Sequence, residues 1–245
     1  MKKILVASAI GILAFSSLSQ RAEAQINSFP QAGKLLYGLD FAYETDFGGN
    51  FTKTATNGST SLSGKSFSDV FDNPFTYKLG VSQGLSPETE IFSALSYSTA
   101  GGKSTNIGTS AGNAVNVKFG DYSSLEFSGG YRQYFSVSNF FRPYVSAEAG
   151  LKYVDKISAS FSGLSGGNFT SDVFSTSYVP TFGVGLGAVV TNGTSYRLSL
   201  ETGIKYNWKL NDNDSGALSA AGISSFNDSA DRIIVPIAVK LDVDL

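Results

Sequence analysis

The chain contains no cysteine and no histidine. Without cysteine there is no disulfide, no thiolate metal site and no lipid-modified N-terminal cysteine. Without histidine, imidazole general bases, serine–histidine–aspartate triads and histidine metal ligands are excluded together. Methionine and tryptophan occur once each, and proline six times in 245 residues. No apolar run reaches the roughly 18 residues that a membrane-spanning helix needs. Charge is sparse and balanced, 18 Lys and Arg against 20 Asp and Glu, with no basic block of the kind a nucleic acid would require. These absences point away from nucleic acid and from most catalytic chemistry, and no cofactor or metal is expected.

What the chain has in quantity is glycine (27), phenylalanine (19) and tyrosine (12). The segment Tyr196–Leu210, YRLSLETGIKYNWKL, shows how they are used. Tyr196, Leu198, Leu200, Thr202, Ile204, Tyr206, Trp208 and Leu210 fall on one side of a period-two alternation. Arg197, Ser199, Glu201, Gly203, Lys205, Asn207 and Lys209 fall on the other. Successive strand side chains face opposite ways, so this segment predicts one long strand with an apolar face and a charged face.

The same alternation recurs over Leu35–Thr45, Phe75–Ser82, Ser123–Tyr134, Tyr144–Val154, Tyr178–Val190 and the strand that ends the chain, with a weaker instance at Glu90–Ser98 where Phe92 breaks the pattern. That makes eight strands. Four long polar segments, 46–73, 99–120, 155–176 and 211–231, alternate with short connections, among them Asn192-Gly193, a dipeptide suited to a type I′ turn. At the N-terminus, Lys2 and Lys3, the apolar run Ile4–Phe15 and Ala22-Glu23-Ala24 read as a secretory signal cut after Ala24. Residues 1–24 are therefore expected to be a signal peptide and 25–245 a single domain.

An even number of alternating strands, joined by long and short connections in turn, predicts an all-β fold. The expected form is a single eight-stranded antiparallel transmembrane β-barrel with four long extracellular loops and short periplasmic turns. The alternative is a secreted soluble β-sandwich in which the apolar faces form a core. Through Arg142-Pro143-Tyr144-Val145, Tyr178–Gly187 and the alternating last strand, the chain resembles the small eight-stranded outer-membrane barrels. That group contains the OmpA membrane domain, OmpX and the opacity-type adhesins. The resemblance covers the whole mature chain, and the peptidoglycan-binding domain of full-length OmpA-type proteins is expected to be missing. Such proteins often end in Phe, whereas this chain ends in Leu245. It implies residence in the bacterial outer membrane, contact with the lipid bilayer, and recognition of the last strand by the outer-membrane assembly machinery.

In a barrel the charged face lines the interior. The inward set is Asp40, Glu44, Lys78, Glu90, Glu126, Arg132, Glu148, Lys152, Arg197, Glu201, Lys205, Lys209, Lys240 and Asp242. An eight-stranded barrel is just wide enough for side chains to fill it, so these groups are expected to form a packed ionic network. The other possibility is a narrow water or ion path gated by the same pairs. Gly183, Gly185 and Gly187 fit either, by admitting long Arg and Lys chains or by leaving voids. Tyr37, Tyr43, Tyr77, Tyr97, Tyr131, Tyr153, Tyr196, Tyr206 and Trp208 are expected at the two membrane interfaces.

Two motifs carry little. Gly101-Gly102-Lys103-Ser104 ends like a phosphate loop, but Tyr97 stands where the first glycine belongs and no helix pattern follows. The run 211–216, NDNDSG, begins like a calcium loop, yet Asn211 leads it and Gly222 takes the place of the closing glutamate. Function is expected to be non-enzymatic: envelope structure, with adhesion to a host or surface ligand through loops 46–73, 99–120, 155–176 and 211–231. Apolar residues within those loops, such as Phe51, Phe67, Phe71, Phe161 and Phe174, serve either as contacts or as the small core of hairpins that extend the strands.

Overall fold

Period-two alternation becomes strand wherever it was read, and in several places where it was not. The computed structural model describes residues 32–57, 59–135, 141–164, 167–193, 195–213, 227 and 230–244. The proposed signal segment and most of the fourth polar segment lie outside these residues.

In chain order the elements are β1 (Leu35–Gly48), β2 (Asn50–Thr52), β3 (Ala55–Asn57), β4 (Thr60–Leu62), β5 (Lys65–Ser66), helix α1 (Phe67–Val70), β6 (Phe75–Ser86), β7 (Thr89–Ala100) and β8 (Ser104–Ser110). They continue with β9 (Asn113–Phe119), β10 (Tyr122–Tyr134), β11 (Arg142–Val154), β12 (Ile157–Ser162), β13 (Phe169–Phe174), β14 (Ser177–Asn192), β15 (Tyr196–Asn207) and β16 (Arg232–Val243). Eight of them close on themselves in the order β1-β16-β15-β14-β11-β10-β7-β6, every neighbouring pair antiparallel. The fold is a closed eight-stranded barrel. Closure removes the sandwich alternative, because the apolar faces turn outward and have no second sheet to meet.

The barrel strands agree with the alternating segments to within a few residues. β1 runs on to Gly48, and β15 stops at Asn207, short of Leu210. One turn differs. Asn192 is still in β14, Gly193 does not take a positive φ, and its N–H bonds to the carbonyl of Tyr196 at 2.8 Å. A bulge between Val189 and Thr191 shifts the register, so the type I′ geometry expected of Asn192-Gly193 is not needed. The two-residue turn with positive φ at both positions sits instead at Ala111 (48°) and Gly112 (83°), joining β8 to β9.

The larger difference is above the barrel. Three of the four polar segments are ordered into strands: a six-stranded sheet, β13-β12-β9-β8-β4-β3, and the pair β2-β5 beside α1. Val115, Val117, Phe119, Ile157, Ala159 and Phe161 point to a common core, while Asn116, Lys118 and Ser160 point to water. Phe51 is the hub, its ring 4.7–6.0 Å from those of Phe67, Phe71, Phe119 and Phe174. The core is continuous with inward residues at the strand ends, Ala100, Tyr122, Val154 and Val179. These apolar loop residues therefore build a cap, and Phe47, 70% exposed at the end of β1, stays outside it.

Candidate functional site

Inward positions of the barrel strands carry the charge, and their registers stack it in layers along the axis. At the turn end, Arg197 donates Nη1 to Glu90 Oε2 at 2.7 Å and Nη2 to Oε1 at 3.1 Å. The same guanidinium donates Nε and Nη2 to Asp242 at 2.9 and 2.7 Å. Arg132 also donates Nη1 to Glu90 Oε1 and lies over Phe92, 4.2 Å from its ring centroid. Phe92, off pattern in the sequence, thus faces inward to cover a guanidinium. Tyr134 and Tyr144, rings 5.0 Å apart, close this end with Val189.

In the next layer Glu201 accepts from Lys240 Nζ at 3.0 Å, from the Tyr144 hydroxyl at 2.7 Å and from Ser146 at 3.3 Å. Lys240 also lies 3.5 Å from Asp40, directly opposite it in the register. Above them Glu148 sits between Lys78 (3.0 Å) and Lys205 (2.8 Å), and Glu126 between Lys205 (2.6 Å) and Lys152 (3.5 Å). Thr181 donates to Glu126 at 2.7 Å. Six carboxylates thus meet six cations, and the charges of this set balance. Burial of these ions costs several kcal/mol each unless every one is paired, and every one is paired.

Two inward assignments come out differently. Glu44 joins no ion pair here; it accepts from Thr76 at 2.8 Å near the loop end. Lys209 lies beyond β15 and is exposed, outside the lumen, because the strand ends before it. The inward glycines make room, but not for Arg or Lys. A Cβ at Gly183 would meet Glu148, one at Gly185 would meet Ser146 and Glu201, and one at Gly187 would collide with the Tyr144 ring. A void of about 10 Å³ bordered by Asp40, Lys78, Ser82, Phe92, Arg132 and Asp242 is the size of one water.

The loop end holds a pair that the sequence reading missed. Arg232 donates Nε and Nη2 to the two carboxylate oxygens of Asp46 at 2.9 and 2.6 Å. Its guanidinium carbon lies 3.5 Å from the Phe67 ring centroid. Asp46 opens the polar segment 46–73 and Arg232 directly follows 211–231, so the alternation assigns neither of them a face. Tyr134 and Tyr144 could have been found, since they share the parity of Arg132 and Ser146.

On the outside, large apolar side chains are exposed around the wall, among them Leu79, Phe127, Leu151, Phe182, Val184, Leu186, Ile204 and Ile237 at 51–64%. So wide a band has no place in water and fits hydrocarbon. Of the nine aromatics expected at the interfaces, Tyr43, Tyr77, Tyr97, Tyr153, Tyr206 and Trp208 lie toward the loop end. Tyr37, Tyr131 and Tyr196 lie toward the turn end. Tyr178, 67% exposed and 5.5 Å from Tyr153 ring to ring, joins the loop-end group.

The two weak motifs acquire plain roles. Lys103 pairs with Asp72 at 3.6 Å and donates to the carbonyl of Ser68, tying β8 to α1. Asp212 bridges to Phe174 and accepts from Asn227, while residues 214–226 of the second motif's surroundings lie outside the described residues. Among the described residues no group of three or more acidic side chains could hold a metal ion.

The chain is similar to small eight-stranded outer-membrane barrels. Neisserial surface protein A matches over 86% of this chain and 97% of its own, at 14% identity and a TM-score of 0.38. Ail, the attachment invasion locus protein of Yersinia pestis, matches over 88% and 100%, at 11% identity and 0.38. The outer membrane protein OprG from Pseudomonas aeruginosa matches over 88% and 98%, at 12% identity and 0.45. No protein-family model matches the chain, and no curated protein does.

Proposed function

We propose that this chain is a non-enzymatic surface protein of the bacterial outer membrane, a sealed barrel that holds a folded β-cap outside the cell for contact. The observation that carries the reading is the double closure of the lumen. Paired charges and two tyrosines fill its turn end, and the aromatic core of the cap sits on its loop end. An ion path would need continuous water, and the paired side chains that crowd the interior support a sealed lumen instead. The apolar outer band and its aromatic margins support lipid embedding. Export by a signal cleaved after Ala24 and insertion through β16 complete the proposal.

The contact surface would be the outward face of the six-stranded sheet. It presents Thr56, Ser61, Asn106, Asn116, Lys118 and Ser160 and no large aromatic side chain. Protein interfaces usually centre on Trp, Tyr or Arg anchors, so this face suits a hydrated, hydrogen-bonding partner better than an apolar one.

Planar-bilayer recording on the refolded protein tests the sealed lumen: no discrete conductance steps are expected, and steady single-channel steps would overturn it. Adhesion is tested with cells displaying the protein, by comparing their binding to host-cell surfaces with that of cells displaying N116A/K118A. Equal binding by both would remove this face from the proposal.

A further inference from the structure

Closing the barrel requires β1 and β16 to meet, the two barrel strands farthest apart in sequence. Among the described residues three ion pairs cross that seam. Lys34–Asp244 (2.5 Å) lies at the turn end, Asp40–Lys240 (3.5 Å) within the lumen and Asp46–Arg232 (2.6 Å) at the loop end. The last also touches the cap. Arg232 and Asp46 are each 4% exposed, and the guanidinium carbon lies 3.5 Å from the centroid of Phe67 and 5.3 Å from that of Tyr122. One side chain on β16 therefore binds a carboxylate of β1 below and an aromatic ring of the cap above.

We propose that Arg232 couples closure of the barrel to seating of the cap, so that the aromatic core docks only on a barrel closed in its native register. A one-residue slip of β16 would turn its apolar side chains into the lumen, so the smallest tolerable slip is two residues. Such a slip puts either Ile234 or Ala230 where Arg232 stands, and in the first case sets Asp242 opposite Asp40. Either way Asp46 is left as a buried carboxylate without a cation, facing the electron-rich face of Phe67. With Arg232 in place the same two groups are both attracted to one planar cation. Lysine would not serve equally, because its point charge cannot grip both carboxylate oxygens and lie flat under a ring.

The test uses the mature chain refolded in detergent micelles, with two readouts. Boiled against unboiled gel mobility reports the barrel, and amide hydrogen exchange reports β2–β5 and β8–β9 of the cap separately from β10–β11 of the wall. R232M is expected to keep the mobility shift while cap exchange accelerates about tenfold and wall exchange stays within about twofold. R232K is expected to fall between R232M and the unaltered protein. F67L, made in the cap itself, should loosen the cap in the same restricted way, and R232M should add little on top of it. Unchanged cap exchange in R232M or in F67L would overturn the coupling. So would fully additive effects in the double variant. Loss of the mobility shift in R232M would also overturn it, since Arg232 would then hold the wall rather than link it to the cap.

Discussion

The barrel and its cap bury opposite chemistries. Below the mouth the enclosed side chains are ions and the exposed ones apolar; above it the enclosed side chains are phenylalanines and the exposed ones hydroxyls and amides. β11 carries Ser146, Glu148 and Lys152 inward and Val145, Leu151 and Tyr153 outward. Immediately after it, β12 carries Ile157, Ala159 and Phe161 inward and Ser160 outward. The inversion falls at Val154, the last inward residue of β11 and already part of the cap core. A sheet places its apolar face wherever water is absent. The level of the inversion therefore marks where hydrocarbon ends and water begins.

The sharpest way to break this comparison is to leave each interior unmatched. Arg197→Met leaves Asp242 a buried carboxylate without its cation and Glu90 with Arg132 alone. It should destabilise the wall by about 3–5 kcal/mol in denaturant titrations of the micelle-bound protein, with partial recovery in R197M/D242N. Phe51→Ala takes out the ring that touches four others in the cap, a loss of about 3–5 kcal/mol confined to the cap. Its unboiled mobility should stay that of a closed barrel. If F51A opened the wall, or R197M only the cap, the two regions would be one cooperative unit.

The sequence made the wall legible because each barrel strand is 12–16 residues long and repeats its alternation several times. Parity alone placed Asp40, Glu126, Arg132, Glu148, Arg197 and Asp242 inside. Which ion meets which was not legible, since Lys78 with Glu148 and Arg197 with Glu90 join strands that are not neighbours in the sheet. The cap was read as four polar segments without a period. Four of its strands are only two or three residues long, too short for two full cycles, and the six- and seven-residue ones are set among glycines and serines that blur their alternation. The phenylalanines were visible, and the choice between contact and core depended on pairings such as Ser61↔Thr109 and Ser160↔Lys118 that join separate loops.

Placing one lysine on each outer surface sharpens the comparison at lower cost. Val184 is 64% exposed midway along β14, and Val184→Lys should cost about 2–4 kcal/mol in a bilayer, the penalty for a cation at mid-depth. Ser61→Lys, on the exposed face of β4, should stay within about 0.5 kcal/mol. Denaturant midpoints in lipid vesicles would show the contrast. Equal costs would mean that the apolar band does not lie in hydrocarbon.

The smallest effect concerns pH and belongs to the cap alone. The Asp69 carboxylate accepts the Ser66 hydroxyl at 2.7 Å and the Ser66 backbone N–H at 2.9 Å, bonds that hold its pKa below the usual 3.8, the hydroxyl contributing most. A carboxylate with a depressed folded-state pKa stabilises the fold above its unfolded pKa, and that contribution fades as pH falls through the folded value. Asp69→Asn should therefore lower cap stability slightly at neutral pH, and the difference from the unaltered protein should shrink below pH 3.8. The lumen ion pairs involve neither Asp69 nor Ser66, so they contribute equally in both proteins and cancel from the difference. A gap between the two proteins that widened in acid would show instead that Asp69 is held in its neutral form, and the α1 cap would need a different account.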